Sequence, residues 1–321
     1  MALRLVFFGT PEFALPSLRL LLTRSEFQIE AVVTQPDRPR GRGQQVASSP
    51  VKDFALESAI YVYQPESVRD ETVLSFFKRM QPDAVVIIAY GQKIPETLLD
   101  IPRLGWINLH GSLLPKYRGA APINWAIVNG EKRTGVTTMM VEAGMDTGPI
   151  LMQKEIEIGA DETAPELAKR MSELGAPLIV ETLLGLSRGE ISPRAQENAQ
   201  ATKAPILKKE MGRVNWELPA KEIYNRIRGF EPWPGAYTTF RGQTCRIWGS
   251  PQGDAHSHTE LRAIARDKAG QIVAAGGNVF VSCGGDSWLR LSELQIEGKK
   301  KVKAADFANG ARLTAGDTFD L

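Results

Sequence analysis

Apolar residues recur along the first 190 residues with two alternating periods. Short runs at Leu3–Phe8, Ile29–Thr34, Ala84–Ala89, Trp106–Leu109 and Val136–Val141 have the length and composition of strands. Helically spaced stretches at Phe13–Leu22, Val51–Ala59, Thr72–Met80 and Ile123–Val128 separate them, and a long helix over Ala164–Leu186 follows. Strands that are apolar on both faces, with helices between, predict an α/β unit around a Rossmann-like, mostly parallel sheet. From Ser192 to Lys209 the periodicity stops and Pro193 and Pro205 appear, the composition of a linker. Six short runs follow: Ala236–Phe240, Thr244–Trp248, Leu261–Ala265, Gln271–Ala274, Val279–Ser282 and Trp288–Leu291. They predict a second, smaller OB-like β-barrel. The expected organisation is thus 1–190, a linker at 191–209, and 210–321.

Length and composition change this picture little. A chain of 321 residues exceeds one core, in keeping with two domains. No apolar run approaches the ~20 residues that span a bilayer. The amino terminus enters a strand without the features of a signal peptide. Cys245 and Cys283 belong to no paired motif, and His256 and His258 sit in a polar turn without further ligands, so no metal site is expected. A cytoplasmic monomer is the expectation. Net charge is only +2, with the basic excess lying beyond Leu207. That is the distribution of an ordinary solvated surface or of a domain facing an anionic partner.

Chemistry concentrates at Trp106–His110 and the loop after it. A period of two puts Asn108 and His110 on one face of a strand, at the edge where α/β sheets bind ligands. An amide donor beside an imidazole suits an oxyanion that forms and collapses, although the same spacing also occurs in plain packing. Asp146, in Gly144-Met145-Asp146-Thr147-Gly148, is a candidate partner that would favour imidazolium, or else the head of an Asx turn. No Ser or Cys stands in a nucleophile context, which favours direct attack by an external nucleophile. Gly9-Thr10-Pro11 turns tightly after the first strand but lacks the Gly-x-Gly-x-x-Gly fingerprint of dinucleotide sites. Two basic features remain. One is the loop with Arg38, Arg40 and Arg42. The other is Lys299–Lys301 and Lys303, with Lys208 and Lys209 of the linker; each is either a phosphate grip or solvated surface.

Asn108-x-His110-x-Ser112-Leu113-Leu114-Pro115, Tyr117-Arg118-Gly119 and Asp146-Thr147-Gly148 together resemble the signature of the 10-formyltetrahydrofolate-dependent formyltransferases. Phe8–Phe13, Thr34–Pro39, Ala89–Gln92, Ala204–Glu210, Asn215-Trp216 and Phe230–Ala236 are similar to the branch of that family that formylates methionyl initiator tRNA. The resemblance covers nearly the whole chain. It implies that Asn108, His110 and Asp146 form the catalytic trio and that Ser112, Leu113, Leu114 and Pro115 help hold 10-formyltetrahydrofolate. It also implies that Arg38, Arg40, Arg42, Lys208 and Lys209 meet the tRNA. Gln44 and Gln45 depart from it, standing where relatives often carry lysines.

Rival readings keep the trio and change the acceptor to a small ribonucleotide amine, a sugar-nucleotide amine or water. A non-catalytic nucleic-acid-binding protein is the alternative of another class, and a nucleotide-dependent oxidoreductase lacks its glycine fingerprint. The extra barrel and the arginine loop weigh against a small acceptor.

Overall fold

Strands that are apolar on both faces need cover on both sides, and the first sheet is built from such runs. The computed structural model describes residues 2–40, 45–252, 261, 268–314 and 316–320. Strands β1 (Leu3–Gly9), β2 (Phe27–Val33), β3 (Val62–Tyr63), β4 (Ala84–Ile88) and β5 (Trp106–His110) pair in parallel. β6 (Arg133–Met140) pairs antiparallel with both β5 and β7 (Ile150–Glu157). The order β7-β6-β5-β4-β1-β2-β3 reverses direction between β1 and β4, which opens a crevice beyond their carboxyl ends.

Helices α1 (Leu15–Leu22), α2 (Pro50–Glu57), α3 (Glu71–Met80) and α5 (Ala164–Ser187) accompany this sheet, while α4 (Pro122–Val128) lies between β5 and β6 in sequence. The hydroxyl of Ser49 caps α2 by accepting from the Lys52 N–H at 3.1 Å. Aromatic residues fill one side of the sheet: Phe77 of α3 lies 5.2 Å from Trp106, and Phe8 meets Tyr90 edge-on at 4.8 Å. On the other side a Cβ at Gly175 of α5 would come within 2.5 Å of Leu109, so glycine lets the helix approach β5.

β7 escaped the apolar pattern because it is an edge strand whose Lys154, Glu155 and Glu157 face solvent. The arginine loop also differs from a plain loop. Arg38–Arg40 and Gln45–Ala47 pair antiparallel into a two-stranded ribbon, while Arg42 and Gln44 lie outside the described residues.

The chain divides into two compact units, one of residues 1–122, 133–158 and 166–205, the other of 123–132, 159–165 and 206–321. In the second unit β8 (Tyr237–Phe240), β9 (Gln243–Pro251), β10 (Ile272–Ala275), β11 (Asn278–Cys283) and β12 (Ser287–Ile296) form an antiparallel sheet in the order β8-β9-β12-β11-β10. Its edges are tied together by the carboxy-terminal tail, where Phe319 bridges to Phe240 of β8 and Thr318 to Gln271 beside β10. This closure removes the exposed sheet edges, as a barrel does. The expected strand over Leu261–Ala265 is corrected at Leu261, which is helical; residues 262–265 lie outside the described residues. Burial pushes the thiol of Cys245 up to about 11 and that of Cys283 to about 12, so both stay protonated at neutral pH.

Helix α6 (Ala220–Gly229) explains why residues 123–132 and 159–165 belong with the barrel. Phe230 meets Trp125 edge-on at 5.9 Å, and Asn124 Nδ2 donates to the Gly229 carbonyl at 2.8 Å. The buried guanidinium of Arg228 donates to the carbonyls of Glu162 at 3.0 Å and Gly159 at 3.3 Å. A chain ending at residue 205 would therefore strip Trp125 and Val128 of their packing. Such a fragment is expected to bind a hydrophobic dye and to unfold at a lower temperature than the full chain. Equal thermal stability and no dye binding would contradict this packing.

Candidate active site

Parallel strands end on one edge of the sheet, and there the chemistry-bearing residues gather. The hydroxyl of Thr10, after β1, donates to the Tyr90 carbonyl at 3.3 Å and accepts from the Gln35 N–H at 3.4 Å. His110 ends β5 and is only 6% exposed. Its Nε2 lies 2.9 Å from the Tyr117 carbonyl oxygen. A carbonyl can only accept, so Nε2 carries a proton and Nδ1 is the nitrogen left to gain or lose one. Nδ1 faces Asp146 Oδ2 at 3.7 Å, close for charges but too long for a hydrogen bond.

Asp146 itself is held by the backbone. Its Oδ2 accepts from the Gly119 N–H at 2.8 Å, and it adopts the left-handed conformation with φ 52. Gly119 has φ +127, and a Cβ there would lie 2.5 Å from the Ala204 carbonyl oxygen, so only glycine can present that N–H. Gln196 clamps the same turn, its Nε2 donating to the carbonyls of Asp146 at 2.9 Å and Gly148 at 2.7 Å. Arg118 Nε fixes Gln196 in turn, donating to its Oε1 at 3.0 Å. Asn108 precedes His110 by one pleat on the same face of β5, half-buried. Among the described residues its amide makes no side-chain hydrogen bond, which leaves it open to a reactant.

The structure thus brings Asp146 to His110, with Asn108 two residues before it on the same face of β5, but the closest partners of the imidazole and the carboxylate are backbone groups. The Tyr117 carbonyl and the Gly119 N–H carry no side-chain signature. Gln196 lies in the stretch whose composition reads as a linker, so nothing in the sequence alone pointed to it.

The loop Ser112–Pro115 is shaped from below by β6 and β7. Thr137 Oγ1 donates to the Ser112 carbonyl at 2.6 Å and accepts from the Leu114 N–H at 3.2 Å. Gln153 Nε2 donates to the Leu114 carbonyl at 2.9 Å. Leu114 is buried with Met139 and Ile150, Leu113 lies over Gly135, and the Ser112 hydroxyl donates to the Lys116 carbonyl at 2.6 Å. Ser112 and Leu114 therefore set the loop's path with side chains turned into the protein.

Nearby, the base of the ribbon is anchored at Asp37. An ion pair with Lys52 and a hydrogen bond from Gln64 at 2.8 Å hold its carboxyl below the usual carboxylate range. Arg38 projects from the ribbon into solvent, and Lys208 and Lys209 are exposed in the second unit. Among the described residues the buried atoms Tyr90 Oη and Gln35 Nε2, near this edge of the sheet in sequence, have no hydrogen-bond partner, as also Ser17 Oγ and Arg246 Nε elsewhere. Burial pushes the Tyr90 phenol well up, so it remains a donor. Among the described residues no group of His, Cys, Asp and Glu could hold a metal, and no helix is long and apolar enough to cross a membrane. His256 and His258 lie outside the described residues.

A mostly parallel sheet with an amide, an imidazole and a carboxylate at its carboxyl edge has the architecture of a group-transfer enzyme. The family model described as "Formyl transferase" matches residues 3–183, and "Formyl transferase, C-terminal domain" matches residues 206–312. The chain therefore belongs to the formyl transferase family, among relatives named methionyl-tRNA formyltransferase. The methionyl-tRNA formyltransferase of Solibacter usitatus is 51% identical over 315 residues, covering 98% of both chains. That of Caldanaerobacter subterraneus is 44% identical over 98% of this chain and 99% of its own. Among solved structures, WlaRD, a sugar 3N-formyl transferase, shares the fold with a TM-score of 0.65 at 18% identity, over 94% of this chain and 100% of its own. HypX from Aquifex aeolicus, solved with tetrahydrofolic acid, gives 0.61 at 18% identity over 96% of this chain and 47% of its own.

Thr137→Val tests how the loop is held. It leaves the Ser112 carbonyl and the Leu114 N–H without that partner, at a cost of about 1–3 kcal/mol. Chemical denaturation should show that loss; an unchanged midpoint would contradict the assigned support.

Proposed function

We propose that this chain transfers the formyl group of 10-formyltetrahydrofolate to the α-amino group of methionyl initiator tRNA, with Asn108, His110 and Asp146 as its catalytic residues. The observation that carries the reading is the geometry of His110. Its Nε2 is committed to the Tyr117 carbonyl at 2.9 Å, and its Nδ1 faces a carboxylate at 3.7 Å. The free amine attacks the formyl carbon, a C–N bond forms, and the carbonyl oxygen becomes an oxyanion. Asn108 Nδ2 and a proton on His110 Nδ1 stabilise that oxygen. Collapse breaks the bond from carbon to N10, and a proton from the amine reaches N10 as tetrahydrofolate leaves. Asp146, fixed by the Gly119 N–H, balances the charge on the imidazole and assists the proton's passage.

The crevice suits a folate. A pterin ring offers hydrogen-bonding edges, and the buried, unpartnered Tyr90 Oη and Gln35 Nε2 belong to residues that follow β4 and β2. The loop Ser112–Pro115 is the proposed support for the folate. We assign catalysis to residues 1–190 and tRNA binding to 210–321, joined by 191–209. Arg38 and Arg40 of the ribbon, together with Arg42, which lies outside the described residues, would meet the acceptor end, and Lys208 and Lys209 the phosphates nearby. All three catalytic residues come from one chain, so the reading needs only a monomer. Two buried, unpaired cysteines suit a reducing cytoplasm.

Incubation with 10-formyltetrahydrofolate and charged initiator tRNA should yield formylmethionine. Product on a nucleotide-sugar amine, with none on the tRNA, would overturn the acceptor. Asn108→Ala and His110→Ala should each lower kcat by ~10²–10³ with little change in folate affinity. Asp146→Asn keeps an oxygen for the Gly119 N–H, so it should fold normally and lose activity. Near-normal turnover in any of the three would remove that residue from the mechanism.

A further inference from the structure

One face of the second unit is not accounted for by the transfer reaction. Trp233 is 55% exposed, although Phe230, Pro234, Gly235 and Ala236 around it are buried. Its backbone is held on both sides. Arg246 Nη2 donates to the Pro232 carbonyl at 3.0 Å, and the Gly235 N–H donates to the Phe230 carbonyl at 2.9 Å. Among the described residues the indole of Trp233 makes no hydrogen bond and no ring contact. A large ring fixed at its root and left in water forgoes the burial that tryptophan ordinarily obtains.

Its surroundings are aromatic and basic. Along β9, Cys245 and Ile247 are buried, while Arg246 and Trp248 take the outer face. The Arg246 guanidinium lies 5.3 Å from the Trp248 ring, and Lys301 Nζ lies 4.7 Å from it. Trp248 Nε1 donates to Glu231 at 3.2 Å, which joins this ring to the segment that carries Trp233. Lys301 occupies Glu293 at 2.7 Å, whereas Arg246 has no carboxylate partner among the described residues. Lys299 and Lys300 are exposed at the adjoining turn, and Lys303 on the two-residue strand that follows it. Solvation alone explains the lysines, but it does not explain an anchored, exposed indole whose backbone is held by a guanidinium with no carboxylate partner among the described residues. Rings that stack on bases next to cations that meet phosphates are how proteins hold unpaired nucleotides.

We propose that Trp233, on the segment held by Arg246 and Trp248, is a stacking platform for an unpaired base of the RNA substrate. This rests on the reading that the substrate is a tRNA. A base within a duplex has no free face, so the platform takes a nucleotide from a loop or a single-stranded end. Stacking adds affinity that salt does not remove, in contrast to the phosphate contacts assigned to the ribbon.

The test uses the full chain and two probes, initiator tRNA and a short oligouridylate, each titrated by tryptophan fluorescence at several salt concentrations. Trp233→Ala should weaken binding of both probes by roughly 5-fold to 100-fold, while Trp233→Phe stays near wild type. The log–log salt slope should not change, because no phosphate contact is lost. Wild-type affinity in Trp233→Ala would overturn the platform. So would a loss of affinity accompanied by a slope reduced by about 0.7–0.9, since that marks a phosphate contact. The oligouridylate titration is independent of the acceptor. A wild-type protein that binds oligouridylate through Trp233 but does not formylate charged tRNA would defeat the proposed reaction and uphold the platform.

Discussion

The hydrogen bond between His110 Nε2 and the Tyr117 carbonyl, 2.9 Å long, is the constraint on which the rest of the site depends. It fixes which nitrogen can exchange a proton and turns that nitrogen toward Asp146. For Tyr117 to reach back, the chain after β5 must fold over the end of its own strand. Tyr117 does so in the left-handed conformation, φ 60, with its N–H donated to Thr202 at 2.8 Å. Thr137 and Gln153 hold the same loop from the sheet. The short strand Lys203–Ala204 then pairs with Arg118–Gly119, so the loop is pinned at both ends. Each of these bonds is local and modest, but together they place one imidazole edge within the small tolerance that group transfer requires.

Much of this was legible in the sequence where burial dictates pattern. β1, β4, β5 and α5 are apolar enough that their period shows, and a period of two put Asn108 and His110 on one face. What periodicity could not show were elements with little to bury. β7 is an edge strand with charged outer residues, β3 has only two residues, and the ribbon around Arg38 pairs strands of three residues each. The site was legible as side chains and illegible as backbone. Asp146 was found by its neighbours in the motif, yet its shortest partner is the N–H of Gly119, and an N–H belongs to every residue but proline. Gln196 was hidden because a stretch of small and polar residues looks the same whether it is a free linker or a clamp.

The second unit shows the same division of information. Its strands were visible as short apolar runs. Its closure depends instead on Thr318 and Phe319, in a tail too short to carry a period. Residues 123–132 and 159–165 belong to it because Phe230, Arg228 and Asn124 tie them there, a long-range arrangement that composition does not encode. The exposed Trp233 is the reverse case, a large apolar side chain that the backbone holds in water.

Direct transfer is the centre of the proposed reaction: among the described residues no serine or cysteine side chain is hydrogen-bonded to His110, and the proposal has the amine attack the formyl carbon itself. The most direct measurement is a rapid-quench single turnover with 10-formyltetrahydrofolate labelled in the formyl group and methionyl initiator tRNA. The account predicts that label passes from folate to the methionyl amine without appearing on the protein at any time. Labelled protein that forms and decays at the rate at which formylmethionine appears would contradict it.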